Sequence, residues 1–137
     1  MADFKIAYKK TAINEGGWNH VSGDRGGETY KGIARKFHPK WEGWKLVDKA
    51  KPLKHNQIIK NEALDKLVQD FYKKQFWDVI SGDKVEDQNI ANTLYDFGVN
   101  AGYGRSIQNI QTVLGMTANG KISTELLKRI NNPEKYL

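Results

Sequence analysis

Apolar residues recur at spacings of three and four positions along most of this chain, which is the pattern of amphipathic helices. The clearest example runs from Asn61 to Val79, where Asn61 is a suitable N-cap and Glu62 stands in the first turn. The sequence therefore predicts a protein built mainly of helices. The same spacing predicts the other helices at residues 3–14, 42–50, 86–101, 105–114 and 123–130, and Pro133 is expected to close the ordered part.

Residues 14–33 break this pattern. Six of the chain's 13 glycines fall there, and a glycine inside a helix costs about 1 kcal/mol relative to alanine. Two short runs, roughly Trp18–Val21 and Thr29–Ile33, predict a β-hairpin around a glycine-rich turn, and Ala34–Phe37 predicts a short helical piece. We therefore expect a mainly α (α+β) fold, with one small β-hairpin beside the first helix.

Composition narrows the class of protein. The 137 residues suit one domain with a real core, and the absence of cysteine excludes disulfides and thiolate metal sites. The histidines lack metal-ligand spacing, and no phosphate loop or dinucleotide fingerprint occurs, so we expect no metal and no cofactor. The opening residues are charged and no apolar run is long enough to span a bilayer, so we expect neither a Sec signal peptide nor membrane insertion.

The net charge of +6 favours a polyanionic partner such as nucleic acid, an anionic membrane or an acidic cell wall, although general solubility explains it equally well. The lysines are spread along the whole chain. This distribution weakens a nucleic-acid interpretation, which calls for a basic stripe or a known motif.

The candidate chemistry lies in the glycine-rich segment. Glu15 stands where the first helix gives way to paired glycines, and the helix dipole and the nearby Trp18 both favour the protonated carboxyl that a general acid needs. Asp24 follows nine residues later and Thr29 five after that. Two carboxyl groups across a hairpin are typical of glycoside hydrolysis, with Glu15 as acid, Asp24 as base or electrostatic partner, and Thr29 holding water. A turn-forming Asp24 and a surface Glu15 are the plainer alternative.

The motifs in this segment resemble a known family. Glu15-Gly-Gly-Trp, followed by Asp24-Arg-Gly-Gly-Glu-Thr-Tyr-Lys-Gly-Ile, is similar to the signature of glycoside hydrolase family 108, the lysozyme-like N-acetylmuramidases also known as secretion activator proteins. The chain has Trp18 for the usual Tyr, Arg25 for the usual Pro, and Lys31 inserted before Gly32. More distantly, the two acids and the threonine resemble those of phage lysozymes of the endolysin type.

The resemblance covers nearly the whole chain. Residues 71–78 and 95–102 are similar to the family's later helical segments, and residues 105–127 resemble a short peptidoglycan-binding-like module, with Asn119 where Asp is usual. The resemblance thus implies a lysozyme-like catalytic region over residues 1–104 and a helical module over 105–137, packed as one compact unit.

The resemblance also implies a function. It predicts an N-acetylmuramidase (lysozyme) that cleaves the β-1,4 bond between N-acetylmuramic acid and N-acetylglucosamine in peptidoglycan glycan strands, acting as a monomer and without nucleic acid. Such a protein would be made in bacterial or phage-infected cytoplasm and act in the periplasm or cell wall after export or holin-type release. We expect substrate contacts at Trp18, His20, Tyr30 and Asn100, whereas Trp77 suits the core. Asn100 could equally cap its helix, and histidines are more often simple surface residues.

Two other functions compete with this one. A non-catalytic cell-wall-binding module of lysozyme-like fold predicts wall binding that survives loss of Glu15. A basic nucleic-acid-binding helical domain ranks last, because the lysines are scattered along the chain and form no basic stripe. Clearing of purified sacculi by wild type and by Glu15→Gln tests the first function. Sedimentation with sacculi without clearing indicates the second, and a shift of DNA without any effect on sacculi indicates the third.

Overall fold

A computed structural model describes residues 1–12, 16–20 and 27–136. Glu15 and Asp24 lie outside the described residues. The chain divides into two compact units, one made of Met1–Thr11 with Tyr72–Leu137 and the other of Ala12–Phe71. The domain boundary predicted at residue 104 falls within the first of these units.

Helices dominate the described chain, and a small antiparallel sheet accompanies them, which confirms the predicted mainly α fold class with a small β element. A π-helical turn at Lys73–Trp77 and 3-10 turns at Asp78–Ile80 and Gly82–Lys84 follow the third helix. In chain order the elements are α1 (Phe4–Ala12), β1 (Trp18–His20), β2 (Glu28–Tyr30), β3 (Ile33–Ala34), α2 (Gly43–Ala50), α3 (Glu62–Tyr72), α4 (Gln88–Ala101), α5 (Tyr103–Val113), α6 (Thr124–Ile130) and α7 (Pro133–Tyr136).

The helix predicted from Asn61 to Val79 is interrupted after its first three turns. Asn61 caps α3 as expected, because its Oδ1 accepts a hydrogen bond of 3.0 Å from the Leu64 N–H. From Lys73 onward the backbone widens into the π-helical turn and then tightens. The wide turn adds one residue, so the buried residues that follow Tyr72 are Trp77 and Ile80 and not Phe76 and Val79, which regular helical spacing predicts.

The first unit is organised around an aromatic cluster. Phe4 of α1 packs edge-on against Tyr95 of α4 at 5.7 Å and lies 5.7 Å from Trp77, which is fully buried, as expected. Thr11 Oγ1 donates to Asp96 Oδ1 at 2.9 Å, so the last turn of α1 is tied to α4. The end of α1 is therefore fixed at Thr11.

One prediction for the C-terminal part of the first unit is wrong. Pro133 does not close the ordered part; it opens α7. Proline is well suited to the first position of a helix, because the N–H that it lacks would have no intrahelical partner there.

The second unit contains the sheet, which has one strand more than the predicted hairpin. Within the described residues the strands follow the order β1-β2-β3, all antiparallel. The run that predicted one strand, Thr29–Ile33, is broken by a turn whose central residues Lys31 and Gly32 have φ of 47° and 82°. Positive φ at both positions is typical of the tight hairpin turn that matches strand twist. The residues predicted as a short helix, Ala34–Phe37, form β3 and a hydrogen-bonded turn.

The core of the second unit is drawn from the sheet and from the two helices that follow it. The most deeply buried residues lie on one face of the sheet and on the apolar stripes of α2 and α3, as helical periodicity predicts. They are Tyr30, Ile33, Trp44, Val47, Leu64 and Val68.

Candidate active site

The backbone that follows Glu15 is anchored by a neighbouring loop. Gly17 donates its N–H to Asn56 Oδ1 at 2.9 Å, and the next residue, Trp18, exchanges backbone hydrogen bonds with Asn56 and Gln57 at 2.6 and 2.9 Å. A Cβ on Gly17 would lie only 2.6 Å from the Asn56 carbonyl oxygen. The second of the paired glycines is therefore required by a close backbone approach.

The register of the sheet sorts the predicted site residues onto two faces. Directly opposite residues of antiparallel strands share a face, and successive residues alternate. Trp18 pairs with Tyr30 and His20 pairs with Glu28, so these four side chains lie on one face. Thr29 pairs with Asn19 and lies on the other. The structure thus places Thr29 on the face of the sheet opposite to Trp18, His20 and Tyr30, three of the residues expected to contact substrate.

Asn19 is the neighbour of Thr29 on its face of the sheet. Side chains of directly opposite residues have Cβ atoms about 4.5–5.5 Å apart. The Asn19 Oδ1 is shielded from solvent, and it has no hydrogen-bond partner among the described residues. Sequence reasoning missed Asn19, because its position beside Thr29 follows only from the strand register.

Trp18 and His20 form an aromatic edge on the opposite face. Their ring centroids lie 6.3 Å apart with the planes at 63°. The Trp18 indole N–H is already used, since it donates to Glu28 Oε2 at 2.7 Å. Trp18 is half-buried and His20 is exposed. The edge can therefore offer a ring face and an imidazole to a ligand, but not the indole donor.

Tyr30 belongs to the core. It has no exposed surface, and its hydroxyl accepts a hydrogen bond of 3.0 Å from the Ile59 N–H. Burial raises the pKa of the phenol, which keeps it neutral. The expectation that Tyr30 contacts substrate is therefore replaced by a structural role, in which its hydroxyl satisfies a backbone donor that would otherwise be buried without a partner.

Asn100 lies near the end of α4, in the first unit, and is exposed. Its side-chain NH₂ donates to the Asp96 carbonyl at 2.8 Å, one turn back along the same helix. The helix end itself is closed by Gly102, which has φ of 95° and donates to the Gly98 carbonyl at 2.8 Å. Asn100 thus lies beside the cap rather than forming it.

Glu28 is the most strongly bonded carboxylate in the described part of the site. Its side chain is only 11% exposed. Among the described residues three groups donate to it: the Trp18 indole at 2.7 Å, the Arg35 guanidinium at 2.9 Å and the Lys51 ammonium at 2.6 Å. The sequence indicates no role for Glu28 beyond its place in the family motif, because a glutamate among glycines and polar residues gives no signal of burial.

Arg35 and Lys51 connect Glu28 to α2. Arg35 forms a two-pronged pair with Asp48 at 2.8 and 2.9 Å, and its guanidinium lies 5.1 Å from the centre of the Trp44 ring. Lys51 also contacts Asp48, at 2.9 Å. Strand β2, the residue after β3 and helix α2 are thus joined through one cluster of alternating charges, Glu28–Arg35–Asp48–Lys51, which we call the charge cluster.

The charge cluster fixes the ionisation of its carboxyls. Burial alone would raise the pKa of Glu28, but the hydrogen bonds from Lys51, Trp18 and Arg35 together outweigh it and leave the pKa below its ordinary value. Hydrogen bonds from Arg35 and then Lys51 hold the pKa of Asp48 well below its usual range. Glu28 is therefore a charged acceptor at neutral pH, which excludes it as a general acid.

Comparison with known proteins decides the family. The model of the family described as Glycosyl hydrolase 108 matches residues 8–102, well over half of the chain. The chain belongs to the glycosyl hydrolase 108 family. Among solved structures, SagA of Brucella abortus shares the fold, with a TM-score of 0.63 and 22% identity over 94% of this chain and 68% of that one. No curated protein matches the chain in sequence.

The matched region of this glycosyl hydrolase 108 chain contains the whole segment from Glu15 to Thr29 and the entire charge cluster. Helices α5 to α7 lie outside it. Membership supports a lysozyme-like peptidoglycan hydrolase in general. The described residues contain no group of three or more His, Asp or Glu placed to hold a metal ion, and no helix among them is long and apolar enough to cross a membrane.

Proposed function

We propose that this glycosyl hydrolase 108 protein is an N-acetylmuramidase, which cleaves the β-1,4 bond between N-acetylmuramic acid and N-acetylglucosamine by general acid catalysis. The observation that carries the proposal is the family match across residues 8–102, which spans the predicted acid, Glu15, together with Asp24 and Thr29. The hydrogen bonds that fix Gly17 and Trp18 to a neighbouring loop also support it, because positioning of the reacting groups is a large part of catalysis.

The proposed chemistry gives Glu15 and Thr29 one role each and leaves two for Asp24. Glu15 donates its proton to O4 of N-acetylglucosamine as the bond from that oxygen to C1 of N-acetylmuramic acid breaks. Asp24 either takes the proton of the incoming water or balances the positive charge that develops at C1. The Thr29 hydroxyl holds the water that adds to C1. Where Asp24 takes the proton of the water, it releases it to solvent and Glu15 is reprotonated from solvent; where Asp24 only balances charge, the Glu15 carboxylate takes the proton of the water.

Substrate contacts follow from exposure. Trp18 and His20 remain proposed contacts through the ring edge that they form on one face of the sheet, since aromatic rings pack well against the apolar faces of sugars. Asn100 remains a proposed contact through its exposed amide. The net charge of +6 would steer the protein toward the peptide carboxylates and anionic polymers of the wall. We propose a monomer that meets this substrate outside the cytoplasm.

The products of the reaction test the bond assignment. Purified sacculi are digested with the protein and the soluble fragments are analysed by mass spectrometry after borohydride reduction. The proposal predicts fragments with reduced N-acetylmuramic acid at their ends. Reduced N-acetylglucosamine ends would instead show a glucosaminidase, and anhydro ends a transglycosylase. If sacculi sediment with the protein but release no fragments, the protein is a wall-binding module.

A further inference from the structure

We propose that Glu28 is a positioning residue of the catalytic hairpin, whose carboxylate holds the strand carrying Thr29 in its working place. This inference rests on the proposed muramidase function and extends it to a residue that touches no substrate. It follows from the contacts of one nearly buried side chain, at the start of the strand that follows the glycine-rich segment of the sequence.

Glu28 lies between two of the proposed catalytic residues in the chain. It follows Asp24 by four residues and immediately precedes Thr29. Its side chain lies on the face of the sheet opposite Thr29, next to Trp18. A change at Glu28 therefore acts on Thr29 through the backbone of β2 and not by contact.

The three donors to Glu28 come from three different places in the second unit. Trp18 lies on β1, Arg35 follows β3 immediately, and Lys51 follows the end of α2. Each bond involves a charged acceptor, and bonds of this kind are stronger than those between neutral groups. One carboxylate thus sets the position of β2 relative to β1, to the end of β3 and to α2 together. Strands β2 and β3 have only three and two residues, so few ladder hydrogen bonds are available to do the same.

Asp48 supplies a matched control within the same cluster. It binds Arg35 and Lys51, as Glu28 does, and it also carries a negative charge. It lies on α2, is 44% exposed and has no bond to Trp18 among the contacts of the described residues. A role in general stability should make the two acids similar, whereas a role in positioning the hairpin should set Glu28 apart.

The experiment compares wild type, Glu28→Gln and Asp48→Asn on soluble uncrosslinked glycan strands. Gln keeps the shape of Glu28 but turns an NH₂ donor toward groups that are themselves donors. We expect Glu28→Gln to lower kcat by about tenfold or more with KM changed less than about threefold, because misplaced groups slow the chemical step. Asp48→Asn should keep kcat within about threefold of wild type.

The Trp18 indole provides a spectroscopic readout that is independent of activity. Its N–H signal in ¹H–¹⁵N NMR spectra is identified among those of the four tryptophans by its loss in Trp18→Phe. Glu28→Gln should shift this signal and speed its exchange with solvent, and Asp48→Asn should leave it in place. If Glu28→Gln does not fold, Arg35→Lys carries the same test, since lysine lacks the fork that reaches both carboxylates.

The outcomes separate the inference from the function on which it rests. A wild-type kcat in Glu28→Gln, or an equal loss in Asp48→Asn, would overturn the positioning role while leaving the muramidase proposal intact. For Arg35→Lys, kcat within about twofold of wild type would do the same. Wild-type protein that leaves the glycan strands uncut would overturn the proposed function, and the positioning role with it.

Discussion

Asn19 and Thr29 lie directly opposite each other on strands β1 and β2, and their side chains share the face of the sheet that Trp18, His20 and Glu28 do not occupy. The sheet therefore keeps the proposed water-holding hydroxyl apart from the aromatic edge. Thr29 can therefore act only on the face that it shares with Asn19. Sugar rings that pack against Trp18 would lie on the opposite face.

The hydroxyl of Thr29 can be tested without changing the strand. Thr29→Val keeps the β-branched shape and the packing of β2, so the thermal midpoint should stay within about 2 °C of wild type. It removes one hydrogen bond to water, which should lower kcat by about tenfold. Thr29→Ser, which keeps the hydroxyl, should retain most of the activity. If Val and Ser variants are equally active, Thr29 has no part in the chemistry.

The close backbone approach at Gly17 predicts that a side chain there lowers the free energy of unfolding. Gly17→Ala places a Cβ 2.6 Å from backbone atoms of Asn56 and Gln57, so the loop must move, at a cost of about 1–3 kcal/mol in the free energy of unfolding. Gly104→Ala is the matched control, because nothing lies within 4 Å of its added Cβ and it sits in α5. It should stabilise the protein by up to about 1 kcal/mol. Urea denaturation of both variants measures the difference, and equal effects would contradict the close approach.

Tyr30→Phe distinguishes a core residue from a substrate contact. Removing the hydroxyl leaves the buried Ile59 N–H without its acceptor, which should cost about 1–3 kcal/mol of unfolding free energy. The activity of the folded fraction at 25 °C should not change, since no exposed group has been removed. A rise in KM with unchanged stability would return Tyr30 to the substrate-binding residues.

The charge cluster predicts how stability depends on pH. Glu28 and Asp48 both have lowered pKa values in the folded protein, so the unfolded chain binds protons first as pH falls. Their contribution is fully present above the ordinary values of 4.5 and 3.8 and is lost as pH falls through the lower folded values. Urea midpoints from about pH 7 to about pH 3 should therefore decline less in the double variant Glu28→Gln/Asp48→Asn than in wild type. An equally steep decline in both would contradict this account.

Helical periodicity accounts for most of what could be predicted from the sequence. It located α2, α4, α5 and α6 to within a few residues, because apolar stripes must face a core. It could not show the π-helical turn after Tyr72, because Phe76 and Val79 continue a regular helical spacing in the sequence although the structure buries Trp77 and Ile80.

The candidate site was predicted less completely, for a different reason. The motif indicates which residues are candidates, but the strand register decides which of them share a face. The turn at Lys31 and Gly32 sets that register, and its positive φ values are not evident in a run that also fits a strand. The burial of Tyr30 and the three donors to Glu28 depend on residues distant in sequence, so no local pattern predicts them.

The central claim is that Glu15 donates the proton that breaks the glycan. The most direct measurement is the rate at which purified sacculi lose turbidity with wild type and with Glu15→Gln, together with the fraction of each protein that sediments with sacculi. General acid catalysis contributes about 10²–10⁴-fold, so the account predicts a loss of rate in that range with sedimentation unchanged. Clearing by Glu15→Gln at the wild-type rate would contradict it.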